Sequence, residues 1–175
     1  MTRTPLLALV TLVITGAALS AQDTQYLRAL ERAQAQRPAS LASTARIAPA
    51  SEPGAPLVVR GQVLGLAGAA AADVVVFAYQ TDKDGLYDTR ENGPHSWRLR
   101  GWAKTDRDGR FTFETIRPGS YPNSNNPPHV HFTAFLPSGE RYHAGELQLS
   151  MTPPAPAATP EEASITLRLA ARQKF

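Results

Sequence analysis

Gly109-Arg110-Phe111-Thr112-Phe113-Glu114-Thr115 alternates large apolar and polar side chains. A period of two marks a strand with one face on a core and the other in water. Working outward, Leu57 to Leu66 and Asp73 to Gln80 are rich in Val, Leu and Phe, and the Gly/Ala segment between them suits a turn. Trp97 to Thr105, His129 to Leu136, Gly145 to Leu149 and Ser164 to Ala171 read the same way, giving about seven strands. A Pro-rich loop from Thr152 to Pro160 precedes the last of them. Many short strands divided by Gly and Pro turns predict an all-β sandwich.

Upstream the pattern changes. Asp23 to Gln34 has Leu27, Leu30 and Ala33 spaced for one helix face, with Asp23 or Thr24 as the expected N-cap. From Arg37 to Pro56 the chain turns to Pro, Ala and Ser and reads as a linker or extended arm without a site. At the start, Arg3, the apolar run Leu6 to Ile14 and the small residues Gly16 to Ala21 have the layout of a secretory signal peptide. The run is too short to span a bilayer. The expected organisation is therefore a signal peptide over 1–21, a short helix and Pro/Ala-rich linker over 22–56, and the β-sandwich over 57–175, in an exported protein without a transmembrane anchor.

Composition narrows the chemistry. The chain has 175 residues, a formal charge of +3 and no cysteine. Without disulfides the fold rests on a conventional core. Losing Arg3 with the leader leaves about +2, and the basic residues are scattered, whereas a nucleic-acid partner requires them clustered on one face. Nothing here opposes a homo-oligomer. GxSxG, P-loop and dinucleotide fingerprints do not occur, so nucleophilic hydrolysis and nucleotide chemistry have no basis.

One strand carries unusual side chains. In His129-Val130-His131 the two imidazoles share a face and reach one metal ion, while Val130, Phe132 and Ala134 face the core. Imidazole suits zinc, copper, iron and nickel alike, so the pair leaves the metal open. Tyr121, eight residues before His129, narrows it, because a phenolate is a hard anionic donor that favours ferric iron. Tyr87, in Gly85-Leu86-Tyr87, would complete a set of two tyrosines and two histidines.

Thr81-Asp82-Lys83-Asp84-Gly85 echoes Thr105-Asp106-Arg107-Asp108-Gly109. Both lack the further oxygen donors and closing Glu of a calcium loop and read as turns. His95 and His143 sit near Pro94 and Gly145 in expected loops, where a solvent-exposed imidazole is the default. Trp97 and Trp102 read as core rather than pocket wall.

Several segments together resemble the intradiol ring-cleavage dioxygenases. They are Val58-Val59-Arg60-Gly61-Gln62-Val63, Tyr79-Gln80-Thr81-Asp82 leading to Gly85-Leu86-Tyr87, Lys104 to Gly109, and Thr115-Ile116-Arg117-Pro118-Gly119-Ser120-Tyr121-Pro122 followed by Pro128-His129-Val130-His131-Phe132. The resemblance covers roughly Leu57 to Leu149. It implies a β-sandwich in which Tyr87, Tyr121, His129 and His131 hold a mononuclear Fe(III). Tyr121 and His129 would be axial, and Tyr87 and His131 equatorial beside a hydroxide.

It implies also that Fe(III) binds a catechol dianion, that Tyr121 is the mobile catalytic ligand and helps accept a proton, and that O2 opens the ring between the hydroxylated carbons. Where the family places an Arg before the His pair, this chain has Asn126, a candidate substrate contact without charge. The Tyr121 to His129 loop is also shorter than the family's. Arg90, Arg98 and Arg141 are the candidates to replace that charge. A competing expectation is a non-catalytic transthyretin-like or carboxypeptidase-regulatory-like binding module, in which these four side chains have no reason to converge.

Overall fold

The computed structural model describes residues 16–87, 97–155 and 158–175. Its contacts divide the chain into two units, Met1–Gln36 and Arg37–Phe175. The first holds one helix, α1, Gly16–Ala35. It starts seven residues before the expected Asp23, because Ala17, Ala18, Leu19 and Ala21 are strong helix formers that carry the helix upstream. Asp23 and Thr24 therefore lie inside the helix rather than at its cap. The expected signal-peptide residues up to Ile14 lie outside the described residues. Among the described residues, no helix is long and apolar enough to cross a membrane.

The second unit is the expected β-sandwich. Its strands are β1 Thr44–Arg46, β2 Pro56–Leu64, β3 Val75–Gln80, β4 Leu99–Lys104, β5 Arg110–Ile116, β6 His129–Phe135, β7 Arg141–Gln148 and β8 Glu161–Arg168. One sheet runs β1-β5-β2-β8 and the other β4-β3-β6-β7. β1 comes from the stretch read as linker or arm and adds to β5 in parallel. The sequence missed it because three residues between prolines carry no period.

Alternation fills the space between the sheets. Val59, Val63, Phe111, Phe113 and Leu167 from one sheet meet Val76, Ala78, Ala103, Val130, Phe132 and Ala134 from the other. Phe113 has no exposed surface, and complete burial of such a side chain contributes about 2–3 kcal/mol. Arg110, Thr112 and Glu114 on β5 are exposed or half-buried, as the period of two requires.

The opposite face of the β4-β3-β6-β7 sheet carries a second buried layer, Phe77, Tyr79, Trp97, Trp102 and Phe135. Phe77 packs on Trp102 at 4.3 Å between ring centroids, and Tyr79 stacks on Trp97 at 4.1 Å. Both tryptophans are buried as expected, though in this layer rather than between the sheets. His129 and His131 stand on this same face.

The two Asp-Gly segments are turns. Asp82 Oδ1 accepts the Asp84 and Leu86 backbone N–H groups, and Asp106 Oδ1 accepts those of Asp108 and Arg110. Each carboxylate is occupied with its own loop.

Candidate metal centre

His129 and His131 project from β6 on one face while Val130 between them enters the core. Tyr87 and Tyr121 arrive from two loops that pack backbone against backbone. Gly119 N–H donates to the Asp82 carbonyl at 2.7 Å, and Thr81 Oγ1 donates to the Gly119 carbonyl at 2.9 Å. A Cβ on Gly85 would lie 1.7 Å from Ser120 O, and one on Gly119 would lie 2.5 Å from Gly85 N. Gly85 also has φ +80°, open to glycine at no steric cost. Gly85-Leu86-Tyr87 and Gly119-Ser120-Tyr121 are thus two copies of a Gly-x-Tyr pattern locked together through their glycines. Buried Gln80 fastens the pair to the sandwich, donating to the Ile116 carbonyl at 2.9 Å and accepting from Thr115 Oγ1 at 3.0 Å.

The four donor atoms converge. Tyr87 Oη lies 2.9 Å from Tyr121 Oη, which is 3.0 Å from His129 Nε2 and 3.2 Å from His131 Nε2. The two Nε2 atoms are 3.0 Å apart. An atom ~2.1 Å from Tyr121 Oη, His129 Nε2 and His131 Nε2 would sit about 1.1 Å off their plane, within the range of metal bonds to nitrogen and oxygen. A non-catalytic module gave no reason for such convergence.

Proton bookkeeping shows that the cluster suits a cation. His129 Nδ1–H donates to the Pro127 carbonyl at 2.7 Å, which leaves its Nε2 as a lone pair. His131 Nδ1 faces Glu146 Oε2 at 3.6 Å, and a carboxylate there also favours the proton on Nδ1. Four electron-rich atoms then share only the two phenolic hydrogens. Two imidazole nitrogens 3.0 Å apart are held together either by a proton on one of them or by a cation between them.

Burial favours the neutral forms of Tyr87, Tyr121 and His131. It drives the Tyr87 hydroxyl far above the ordinary tyrosine range, helped by its bond to Tyr121 and by Glu146. Tyr121 is also raised, chiefly by burial and in part by Glu146, against a lowering effect of the Tyr87 hydrogen bond. Burial and the neighbouring His129 push His131 down to about 4, opposed by Glu146. At neutral pH without a cation, the tyrosines are protonated and His131 is neutral.

Glu146 escaped the sequence reading. One ligand atom each from His129, His131 and Glu146 fall within 4.8 Å of one another. Tyr79 was also missed in this role, its ring stacking on that of His131 at 4.7 Å and 19°. The twin Gly-x-Tyr pattern is the signal that was available for the loop packing.

The remaining expected residues lie elsewhere or apart. Asn126 is exposed in the loop between Tyr121 and His129, with its backbone N–H on Ser124 Oγ at 3.1 Å. Arg98 forms a two-point ion pair with Glu52 at 2.6 and 2.7 Å, and the Arg141 guanidinium lies over Phe175 at 5.4 Å. Arg90 and His95 lie outside the described residues. His143 is on β7 rather than in a loop, because the strand begins at Arg141 instead of Gly145; its ring stacks on Phe175 at 4.0 Å.

Residues 32–148 match the sequence profile of the family described as "Dioxygenase". The chain belongs to the intradiol ring-cleavage dioxygenase family. It is 40% identical over 75 residues to 6-chlorohydroxyquinol 1,2-dioxygenase of Cupriavidus pinatubonensis, a match covering 43% of this chain and 27% of that protein. Across the relatives of known sequence that it matches, the chain spans about a quarter to two fifths of their length. Among solved structures it is similar to the dioxygenase domain of a dioxygenase and carbohydrate-binding protein fusion from Streptomyces sp. SirexAA-E. That likeness has a TM-score of 0.53 and 29% identity over 71% of this chain and 85% of the other. An intradiol ring-cleavage dioxygenase from Tetranychus urticae aligns with a TM-score of 0.51 and 25% identity, over 60% and 56% of the two chains.

Proposed function

We propose that this chain is an exported Fe(III) intradiol dioxygenase that cleaves a catechol-type ring between its two hydroxylated carbons with O2. The observation that carries the proposal is the convergence of two phenol oxygens and two imidazole nitrogens within 3.2 Å along the chain of contacts. Two phenolates with two neutral imidazoles are a hard, anionic donor set, which favours a trivalent over a divalent iron. Ferric iron bound there supplies Lewis-acid activation of a chelated diphenol.

The protein's own groups divide the remaining work. The Pro127 carbonyl fixes His129, and Tyr79 and Glu146 flank His131, so both imidazoles are held before anything binds. Tyr121 Oη touches the other three donor atoms and belongs to a half-buried side chain. It is the oxygen best placed to swing away and accept the proton released when a diphenol hydroxyl binds. Tyr87 stays in place behind it. Asn126, exposed in the loop between Tyr121 and His129, is the proposed neutral contact for the ring in place of a charged one.

Oxygen uptake with a panel of catechols, compared between the wild type and Tyr121→Phe, tests this reading. Uptake with formation of a cis,cis-muconate type product by the wild type, and its loss in the variant, is expected. Uptake that Tyr121→Phe leaves unchanged removes Tyr121 from the mechanism. Export rests on Arg3, the apolar run Leu6 to Ile14 and the small residues after it. N-terminal sequencing of the protein recovered outside the cytoplasm should begin after Ser20 or Ala21.

A further inference from the structure

β3, β6 and β7 set three side chains in one row across the sheet: Tyr79 pairs with His131, and His131 pairs with Glu146. Residues directly opposite on adjacent strands share a face and touch. Tyr79 covers one face of the imidazole with its ring. Glu146 meets it at the edge, its carboxylate oxygen 3.6 Å from Nδ1.

This placement depends on an irregularity in β7. The ladder shifts by one residue between Phe132 and Thr133, from the Thr133–His143 pair to the Phe132–Gly145 pair. Continued without the shift, the register would oppose Glu146 to Val130, and Val130 has no exposed surface. A one-residue slip exchanges the two faces of a strand, and a bulge is the way a fold makes that exchange locally. Gly145 carries φ +100° with nothing within 4 Å of where a Cβ would be, so backbone conformation and not space requires the glycine. The core parity records the same shift. Tyr142 and Ala144 are buried before it, and Leu147 and Leu149 after it.

We propose that Glu146, placed by the Gly145 bulge, is a positioning residue for His131: its carboxylate charge beside Nδ1 favours the imidazole proton there and keeps Nε2 free as a donor. The contact serves the ligand rather than the cation, because the carboxylate faces the nitrogen remote from Tyr121 and His129. Where His129 has a backbone carbonyl for this purpose, His131 has a charged side chain, and the charge strengthens the imidazole as a donor. Glu146 is half open to water, with 38% of its side-chain surface exposed, so its replacement leaves the core intact. The inference rests on the ferric reading of the site for its second arm only.

The test uses the full chain and the variants Glu146→Ala and Glu146→Gln, with circular dichroism confirming the fold. In the metal-free protein, 15N shifts of His131 should report the Nδ1–H tautomer for the wild type. Glu146→Gln, which keeps the oxygen near Nδ1 but not its charge, should keep it in part. Glu146→Ala should populate the Nε2–H form. Titrated with ferric ion, Glu146→Ala should bind about 10–100-fold more weakly than the wild type, with Glu146→Gln between the two. A wild-type tautomer together with wild-type ferric affinity in Glu146→Ala overturns the inference. Failure of the wild type itself to take up ferric ion overturns the ferric reading instead, and the tautomer measurement still decides the role of Glu146.

Discussion

His129 Nε2 and His131 Nε2 stand 3.0 Å apart, each on a ring whose Nδ1 points at an oxygen acceptor. A cation bound between them would be held by both nitrogens at once, and only the folded chain offers it that pair. Ferric ion should therefore stabilise the fold. At free ion one hundred times the dissociation constant, about 2.7 kcal/mol is expected, read as a rise in melting temperature. His131→Ala should melt at the same temperature with and without ferric ion.

Loading should also release protons. Both phenols are held protonated by burial, and His131 is already neutral near pH 7, so ligation draws its protons from Tyr87 and Tyr121. A pH-stat titration at neutral pH should record about two protons per ferric ion from the protein, and Tyr87→Phe should record about one fewer.

The depressed His131 gives the metal-free protein an acid-sensitive fold. Its pKa falls from 6.5 to about 4 on folding, so between these values the unfolded chain binds more protons than the folded one. Stability then rises with pH across this window, and the contribution is lost as pH falls from about 6.5 to 4. Urea midpoints measured at pH 7 and pH 4.5 should differ more for the wild type than for His131→Phe, which has no imidazole to protonate.

Gly85 and Gly119 should behave as site residues although neither has a side chain. Gly85→Ala would drive a Cβ to 1.7 Å from Ser120 O and force the Tyr87 loop away from the Tyr121 loop. A destabilisation of about 1–3 kcal/mol in urea unfolding is expected, with weakened ferric binding. The control Gly139→Ala has nothing within 4 Å and a φ of +89°, so it bears the backbone strain without the collision. It should leave ferric binding unchanged.

Local patterns made most of this legible. Phe111 and Phe113 against Arg110, Thr112 and Glu114 announced the sandwich, and the His129, Val130, His131 alternation put both imidazoles on the non-core face. The four donors followed from residue type and family likeness, and the structure brings them together. What stayed hidden depends on pairing between distant segments. Glu146 became a neighbour of His131 only through a register shift on another strand, and β1 only through a parallel partner sixty-odd residues away. The start of α1 was misplaced because an apolar, small-residue stretch reads equally well as a leader or as a helix.

The central claim is that Tyr87, Tyr121, His129 and His131 bind one ferric ion together. Absorbance titration of the metal-free full chain with ferric ion tests it most directly. The account predicts a visible tyrosinate-to-iron charge-transfer band that saturates at one ion per chain, weakens in Tyr87→Phe and Tyr121→Phe and vanishes in the double variant. A chain that stays colourless with excess ferric ion, or a band that the double variant keeps in full, would contradict it.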